Sequence, residues 1–308
     1  MKKILFVLSI TGLMIAEGKI GGVTYFEFIS ADDSTAFNFE RQYFGYGGDI
    51  SDQVSFKILF DIGRTNQNEG EDTRLVAFLK KAQINYKTSF GKFNFGLIGM
   101  NTYNIQEKNW GYRFIEKSAI DKNGFSSTAD LGVGFSKSII DNLNLSLQFT
   151  NGEGFKEPQG DKYHKIAFNA TYGESNLIKN DGYNAGLVYT TEQTDTDPIT
   201  MTSIFGGFAG MGIRIGGEYD MKTIGGVNSN IVSVSTNYTV RDNIDVFVRY
   251  DIYDGDTSID NNGKDYLVAG IVLTCDGGIS VAPNVRTTTY EDEKEALTEY
   301  KVNFQFKF

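Results

Sequence analysis

The chain has 308 residues with 39 acidic against 29 basic side chains, a formal net charge of −10 and a pI near 4.8, which argues against nucleic acid as a partner. A single cysteine, Cys275, excludes an internal disulfide, and a single histidine, His164, excludes a zinc-type His/Cys cluster. Three prolines beside 35 glycines, 17 tyrosines and 24 phenylalanines suit uninterrupted strand ladders, tight turns and aromatic girdles; the mean hydropathy of −0.27 averages over strands that alternate between two environments.

The first elements in the chain are a basic pair, Lys2 and Lys3, and an apolar run, Ile4 to Ile15, closed by Ala16. The run is shorter than the ~20 residues that a spanning helix needs. Residues 1–16 therefore read as a signal peptide of an exported protein. The mature chain, 17–308, reads as one domain, and no other window is a candidate spanning helix.

From Gly21 onward the chain falls into short alternating segments. In QVSFKILFDI, Val54, Phe56, Ile58, Phe60 and Ile62 share one face. In DNLNLSLQF, Leu143, Leu145, Leu147 and Phe149 do so, with Asn144, Ser146 and Gln148 between them. In NIDVFVRYDI, Ile244, Val246, Val248, Tyr250 and Ile252 oppose Asp245, Phe247, Arg249 and Asp251. Period two this sustained predicts strands. About sixteen are expected, at 21–30, 36–48, 53–63, 76–88, 92–101, 128–139, 143–151, 163–173, 182–191, 199–208, 211–221, 229–240, 243–253, 264–275, 278–289 and 298–308.

Their connections alternate in length. Gly48–Asp52, Ser89–Gly91, Ile140–Asn142, Ala209–Gly210, Arg241–Asp242 and Asp276–Gly277 are short, whereas Arg64–Leu75, Thr102–Ser127, Asn151–Tyr163, Asp254–Gly263 and Tyr290–Leu297 are long. Two connections break the pattern: Ala31–Ser34 is short where a long loop is due, and Glu174–Asp181 is long where a turn is due. Short turns on one rim and long loops on the other predict an all-β transmembrane antiparallel barrel with short periplasmic turns and longer external loops. An even strand count brings both ends to one rim, so the final strand, TEYKVNFQFKF, can pair with the first and close the sheet. Its apolar face (Tyr300, Val302, Phe304, Phe306, Phe308) is expected to meet lipid, and Lys301, Asn303, Gln305 and Lys307 to meet water.

Sixteen strands leave an aqueous bore. The longest loop, 102–127, carries Trp110 and a mixed set of charges, and its length is explained if it folds inward as the third external loop. A helical turn is expected within RFIEKSAI. The runs FNFERQYFGYGGDISDQVSFKILFDIGR, KKAQINYK, NWGYRFIEKSAIDKNGFSSTADLGVGF and APNVRTTTY, with the terminal phenylalanine, resemble the phosphate-selective porins O and P and their relatives. The resemblance runs through most of the mature chain. It implies a trimeric porin of the Gram-negative outer membrane with an inward-folded third loop. The terminal strand ending in Phe308 likewise resembles the signal that barrel-insertion machinery reads. Outer-membrane lipid and lipopolysaccharide would then be its surroundings, and small hydrophilic solutes or anions its passengers. No dense arginine ladder of the kind that family uses for phosphate is present.

Selectivity in such a bore rests on charges at its narrow height. Strand direction places Arg41, Lys57, Lys81, Arg214, Arg249 and Arg286 there, with Arg113 and Lys117 on the loop. Asp61, Asp130, Asp220 and Asp251 fall nearer the outer ends, and Glu218 and Asp245 intrude on the basic zone. In FNFERQYFGY both faces are mixed, so a slip of one residue would turn Arg41 outward. A basic waist in an acidic molecule predicts a weak to moderate anion preference. Each arginine has an alternative role as the partner of a wall carboxylate. No catalytic residue, metal ligand or cofactor is expected. A rival reading is a barrel that serves as a hydrolase or a surface anchor. His164, the one histidine, lies in DKYHK at the outer rim with no patterned nucleophile beside it.

Overall fold

The computed structural model describes residues 18–31, 34–64, 74–292 and 294–308. The predicted signal peptide and most of the connection 64–75 lie outside the described residues. Among the described residues sixteen strands form one closed antiparallel barrel. They are β1 (Gly18–Ala31), β2 (Ser34–Asp49), β3 (Val54–Arg64), β4 (Leu75–Lys87), β5 (Lys92–Gly99), β6 (Ala129–Ile140), β7 (Leu143–Thr150) and β8 (Lys165–Gly173), followed by β9 (Gly182–Glu192), β10 (Ile199–Gly210), β11 (Ile213–Ile224), β12 (Val227–Arg241), β13 (Ile244–Asp254), β14 (Lys264–Cys275), β15 (Ile279–Tyr290) and β16 (Leu297–Lys307). Each strand pairs with its sequence neighbours, and β1 pairs with β16.

The seam between β1 and β16 is made as the alternation of TEYKVNFQFKF requires. Phe26 lies opposite Phe304 and Glu27 opposite Asn303. Phe26 and Phe304 stack on the outer face with ring centroids 4.6 Å apart, while Glu27 and Asn303 are buried on the inner face. Gly22 and Phe308 exchange two backbone hydrogen bonds, of 3.0 and 3.1 Å, so the ladder runs to the last residue. Among the described residues no edge strand is left with unpaired N–H and C=O groups, which hydrocarbon could not satisfy.

The outer face is apolar all the way round. Leu131, Leu147, Phe149, Ile204, Val234 and Ile271 are among the exposed residues, a contiguous greasy surface far larger than a water-soluble monomer shows. The inner face is polar, and what core there is lies inside the barrel, between the wall and the loop joining β5 to β6. The short rim uses tight turns with left-handed residues where needed: Asn142 (φ 65°) between β6 and β7, and Met211 and Gly212 (φ 54° and 75°) between β10 and β11. Pro283 sits inside β15 at a break in the ladder, where the β14–β15 partners jump from Gly270–Asn284 to Leu273–Val281. Proline cannot donate there.

One expectation holds in part and one needs correction. RFIEKSAI holds a turn, closed by Glu116 N–H on Tyr112 O at 3.2 Å, but the main helix of the loop lies before it. Helix α1 spans Asn104–Trp110, residues 113–115 make only a turn, and α2 begins at Ala119 and ends at Lys122. The amphipathic run that decides this, Ile105, Gln106, Asn109 and Trp110, is the buried face of α1. Asp61, expected nearer the outer end, instead stands level with Arg41, to which it is paired at 3.2 Å. The strands tilt around a barrel, so height cannot be counted along one strand alone.

If the outer stack secures the seam, Phe26→Ala and Phe304→Ala will each lower unfolding stability in lipid vesicles, with a coupling of about 1 kcal/mol between them in a double-mutant cycle. Urea titration followed by tryptophan fluorescence measures it; additive effects would disprove the stack's role.

Candidate functional site in the bore

The β5–β6 connection turns inward at Met100 and leaves the bore at Thr128, where a backbone bond of 3.1 Å joins its two ends. Hydrogen bonds from the wall hold its irregular backbone along the inside of the barrel from β7 to β15. On β9, Asn184 exchanges two amide hydrogen bonds of 2.9 Å with Asn109 of α1. On β10, Ser203 accepts from Gln106 at 3.1 Å. Helix α1 ends at Gly111, which is left-handed at φ 80°; a side chain there would run into the Arg214 guanidinium.

Three wall arginines then meet three loop carbonyls. Arg214 donates to Trp110 O at 3.3 Å, Arg286 to Ile115 O at 2.7 Å and Arg249 to Lys117 O at 2.5 Å. Arg249 is itself gripped in a two-point pair by Asp251, at 2.7 and 2.6 Å, and stacks over the Trp110 ring. Trp110 donates from Nε1 to Glu116 O at 2.9 Å. The Tyr112 hydroxyl donates to Asp245 at 2.9 Å. Rings complete the contact: Trp110, Tyr112 and Phe247 meet one another, and Phe114 at the loop tip meets Tyr25 on β1.

Glu116 is the loop's electrostatic anchor. Its carboxylate accepts from Tyr266 at 2.8 Å and pairs with Arg286 at 3.3 Å and Lys122 at 3.5 Å. Burial alone would push its pKa up, but Lys122, Arg286 and Arg249 together hold it down at about 2. Arg113 is tied within the loop to Glu107 at 3.3 Å and Asp121 at 3.2 Å. The Lys117 ammonium makes no ion pair among the described residues, and Glu116 bonds only to its backbone N–H.

The loop leaves the wall of β2 to β4 uncovered, and a second set of cations stands there. Arg41 does face the bore, paired with Asp61 and donating to the Tyr43 hydroxyl at 2.8 Å. Lys80, the neighbour of Lys81 in the chain, also faces the bore. The β3–β4 register slips between Leu59 and Phe60, whose partners are Lys81 and Leu79, so Lys80 is the extra residue of a bulge and both lysines point inward. It reaches Asp61 at 3.1 Å and Tyr43 at 3.0 Å. Lys81 stands within electrostatic reach of Lys57, Lys80 and the loop's Glu107. Neither Lys57 nor Lys81 makes a hydrogen bond or ion pair among the described residues. On the external side of this gap, a cavity of about 260 Å³ is bounded by Tyr25, Glu40, Arg41, Arg113 and Lys117, beside the Glu27–Lys301 pair at 2.9 Å.

The eight candidate cations thus fall into two groups. Arg214, Arg249 and Arg286 are spent on the loop, and Arg113 on the loop's own acids. Arg41 is held by Asp61 and Tyr43, whereas the ammonium groups of Lys57, Lys81 and Lys117 make no ion pair among the described residues. Lys80 and the Asp61 network had no signal beyond the Lys80–Lys81 doublet. The over-long short-rim connection between β8 and β9 has a structural use: Leu177 is buried within it, and Ser175 O accepts from Lys108 of α1 at 3.2 Å. His164 packs against Phe149 at the outer rim, with ring centroids 4.8 Å apart and planes tilted by 55°.

Glu116 makes the anchor acid-sensitive. Its folded pKa lies below the ordinary 4.5, so its stabilisation is complete above about pH 5 and is lost as pH falls toward 2. Current fluctuations in planar bilayers are expected to rise between pH 5 and 3 in the native chain and to be insensitive to pH over that range in Glu116→Gln. Arg249→Met strands Asp251 in a buried setting and is expected to cost about 3–5 kcal/mol, read as faster proteolysis of the loop.

No protein-family model matches the sequence, and no curated protein matches it. Solved structures do match the fold. OprB of Pseudomonas putida aligns with a TM-score of 0.72 at 10% identity, covering 94% of each chain. OmpF of Salmonella typhi aligns at 0.71 and 11%, covering 95% of this chain and 98% of that one. An anion-selective porin from Comamonas acidovorans aligns at 0.66 and 12%, covering 95% and 100%. Near-complete coverage of both chains, with the same closed sheet, gives this chain the fold of the bacterial outer-membrane porins.

Proposed function

We propose that the protein is a porin of the Gram-negative outer membrane, a water-filled channel through which small hydrophilic solutes and ions diffuse passively, with a weak to moderate preference for anions. The observation that carries this reading is the division of bore charges. The arginines beside the loop are consumed by carbonyls and carboxylates, while Lys57 and Lys81 on the uncovered wall make no ion pair among the described residues. Charge in a confined, poorly screened passage biases the ions that enter it. Small inorganic anions, phosphate among them, are the solutes this arrangement favours. Assembly as a homotrimer and delivery by barrel-insertion machinery through the Phe308 strand follow from the resemblance noted in the sequence.

A planar bilayer under a salt gradient tests the channel and its sign together. The expected result is stable open conductance with a reversal potential on the chloride side. Replacing both lysines (Lys57→Glu with Lys81→Glu) should reverse that sign without changing trimer mass in detergent. Cation-carried current through the native protein would overturn the anion preference, and absence of conductance would return the reading to a closed anchor or hydrolase.

A further inference from the structure

Below the narrow zone, on the periplasmic half of the uncovered wall, the barrel has a recess of about 560 Å³, within the range of small-molecule sites. Its floor is backbone. Gly21 pairs with Gly45, and Gly47 lies between Lys19 and Lys57 in the ladder. All three glycines point into the bore by alternation with Tyr25, Tyr43 and Lys57. The lining side chains are Lys19, Val23, Tyr43, Lys57, Leu59 and Asn85. Two cations and no carboxylate stand among them.

The opposite face of the same strands shows that this bareness is particular to the bore. On the lipid side the Tyr46 ring covers Gly18, and the Phe308 ring covers Gly22. On the bore side no side chain closes over Gly21: a β-carbon built there would meet only the Phe308 carbonyl oxygen, at 3.6 Å. Its φ is not in the left-handed region, so backbone geometry does not demand glycine. Gly45 and Gly47 are more tightly seated, with built β-carbons 3.1 Å from Leu59 Cδ1 and 3.0 Å from Phe56 O. The result is a flat strip of peptide planes with Val23 and Leu59 at its apolar edges, the Tyr43 ring above it toward the narrow zone, and ammonium groups on Lys19 and Lys57.

We propose that this recess is a binding subsite for organic anions that carry a planar ring, of the aromatic carboxylate class, on their way through the channel. The ring lies flat on the glycine strip between Val23 and Leu59, a position any side chain at Gly21 would occupy. The carboxylate faces Lys57, whose ammonium has no protein partner among the described residues, with Lys19 on the far side. Asn85 cannot substitute for the charge, because its amide is engaged: Oδ1 accepts from Gln83, and from Asn94 in a short contact, and Nδ2 donates to Ser55. The inference rests on the open-channel reading and narrows its solute class.

The test uses the refolded full-length mature protein and three probes: benzoate, acetate without the ring and benzyl alcohol without the charge. Millimolar benzoate is expected to reduce single-channel chloride current in a concentration-dependent way, with acetate and benzyl alcohol each about tenfold weaker. Lys57→Gln should weaken the benzoate effect about tenfold, and Gly21→Val should abolish it while leaving the barrel folded, as read by its heat-modifiable mobility in detergent gels. Saturation-transfer NMR between benzoate and the detergent-solubilised protein reads the same subsite independently of conduction. Transfer lost in Gly21→Val supports the subsite even if the channel proves closed. Equal block by benzoate and acetate, or transfer unchanged in both variants, overturns it, whereas missing conductance with specific transfer would count against the channel reading alone.

Discussion

Hydrocarbon offers no partner for a peptide N–H or C=O, and every level of this structure answers to that constraint. It requires the sheet to close, and closure brings the last strand onto the first with Phe308 bonded to Gly22. The same closure sets an inside and an outside, so that a period-two sequence places its leucines and phenylalanines against lipid and its amides and charges against water. With sixteen strands, the inside is too wide for the wall residues to fill. A folded-in loop takes up part of that space.

The loop then meets the same constraint from within. A stretch of irregular backbone at membrane depth is tolerable only if protein or water satisfies its carbonyls. Arg214, Arg249 and Arg286 supply donors at three successive points, and a planar guanidinium suits the task because it can hold a carbonyl and a carboxylate at once. Arg249 does so with Lys117 O and Asp251, and Arg286 with Ile115 O and Glu116. The lysines are distributed differently. Lys57 and Lys81 stand on the wall the loop does not cover, without a hydrogen bond or ion pair among the described residues. Chemistry thus divides the basic residues into fasteners and field sources.

A long inward loop also makes the bore asymmetric. Its tip closes against Tyr25 and leaves the side of β2 to β4 uncovered, where Arg41, Tyr43, Asp61 and Lys80 form one connected network. Above that network lies the charged cavity, and below it the glycine-floored recess. The uncovered lining is therefore concentrated on one side of the wall, while the remaining wall supports the loop.

All sixteen strands, their antiparallel order, the closure at TEYKVNFQFKF and the inward loop were legible in the sequence, because alternation and turn length are local properties that no distant contact alters. Alternation assigns Arg41, Lys57, Lys81, Arg214, Arg249 and Arg286 to one face of their strands and leaves Arg113 and Lys117 on the loop. What each of them does was not legible there. Whether Arg249 binds a passing ion or a loop carbonyl depends on Trp110, Lys117 and Asp251 arriving beside it, and Lys117 is far from it along the chain. The inward turn of Lys80 depends on a one-residue slip between two strands, which composition does not encode. Sequence by itself determined the barrel, since a two-residue period has only one way to satisfy two solvents. Tertiary structure alone decided which charges remain free, since ion pairing is settled by distances across the bore.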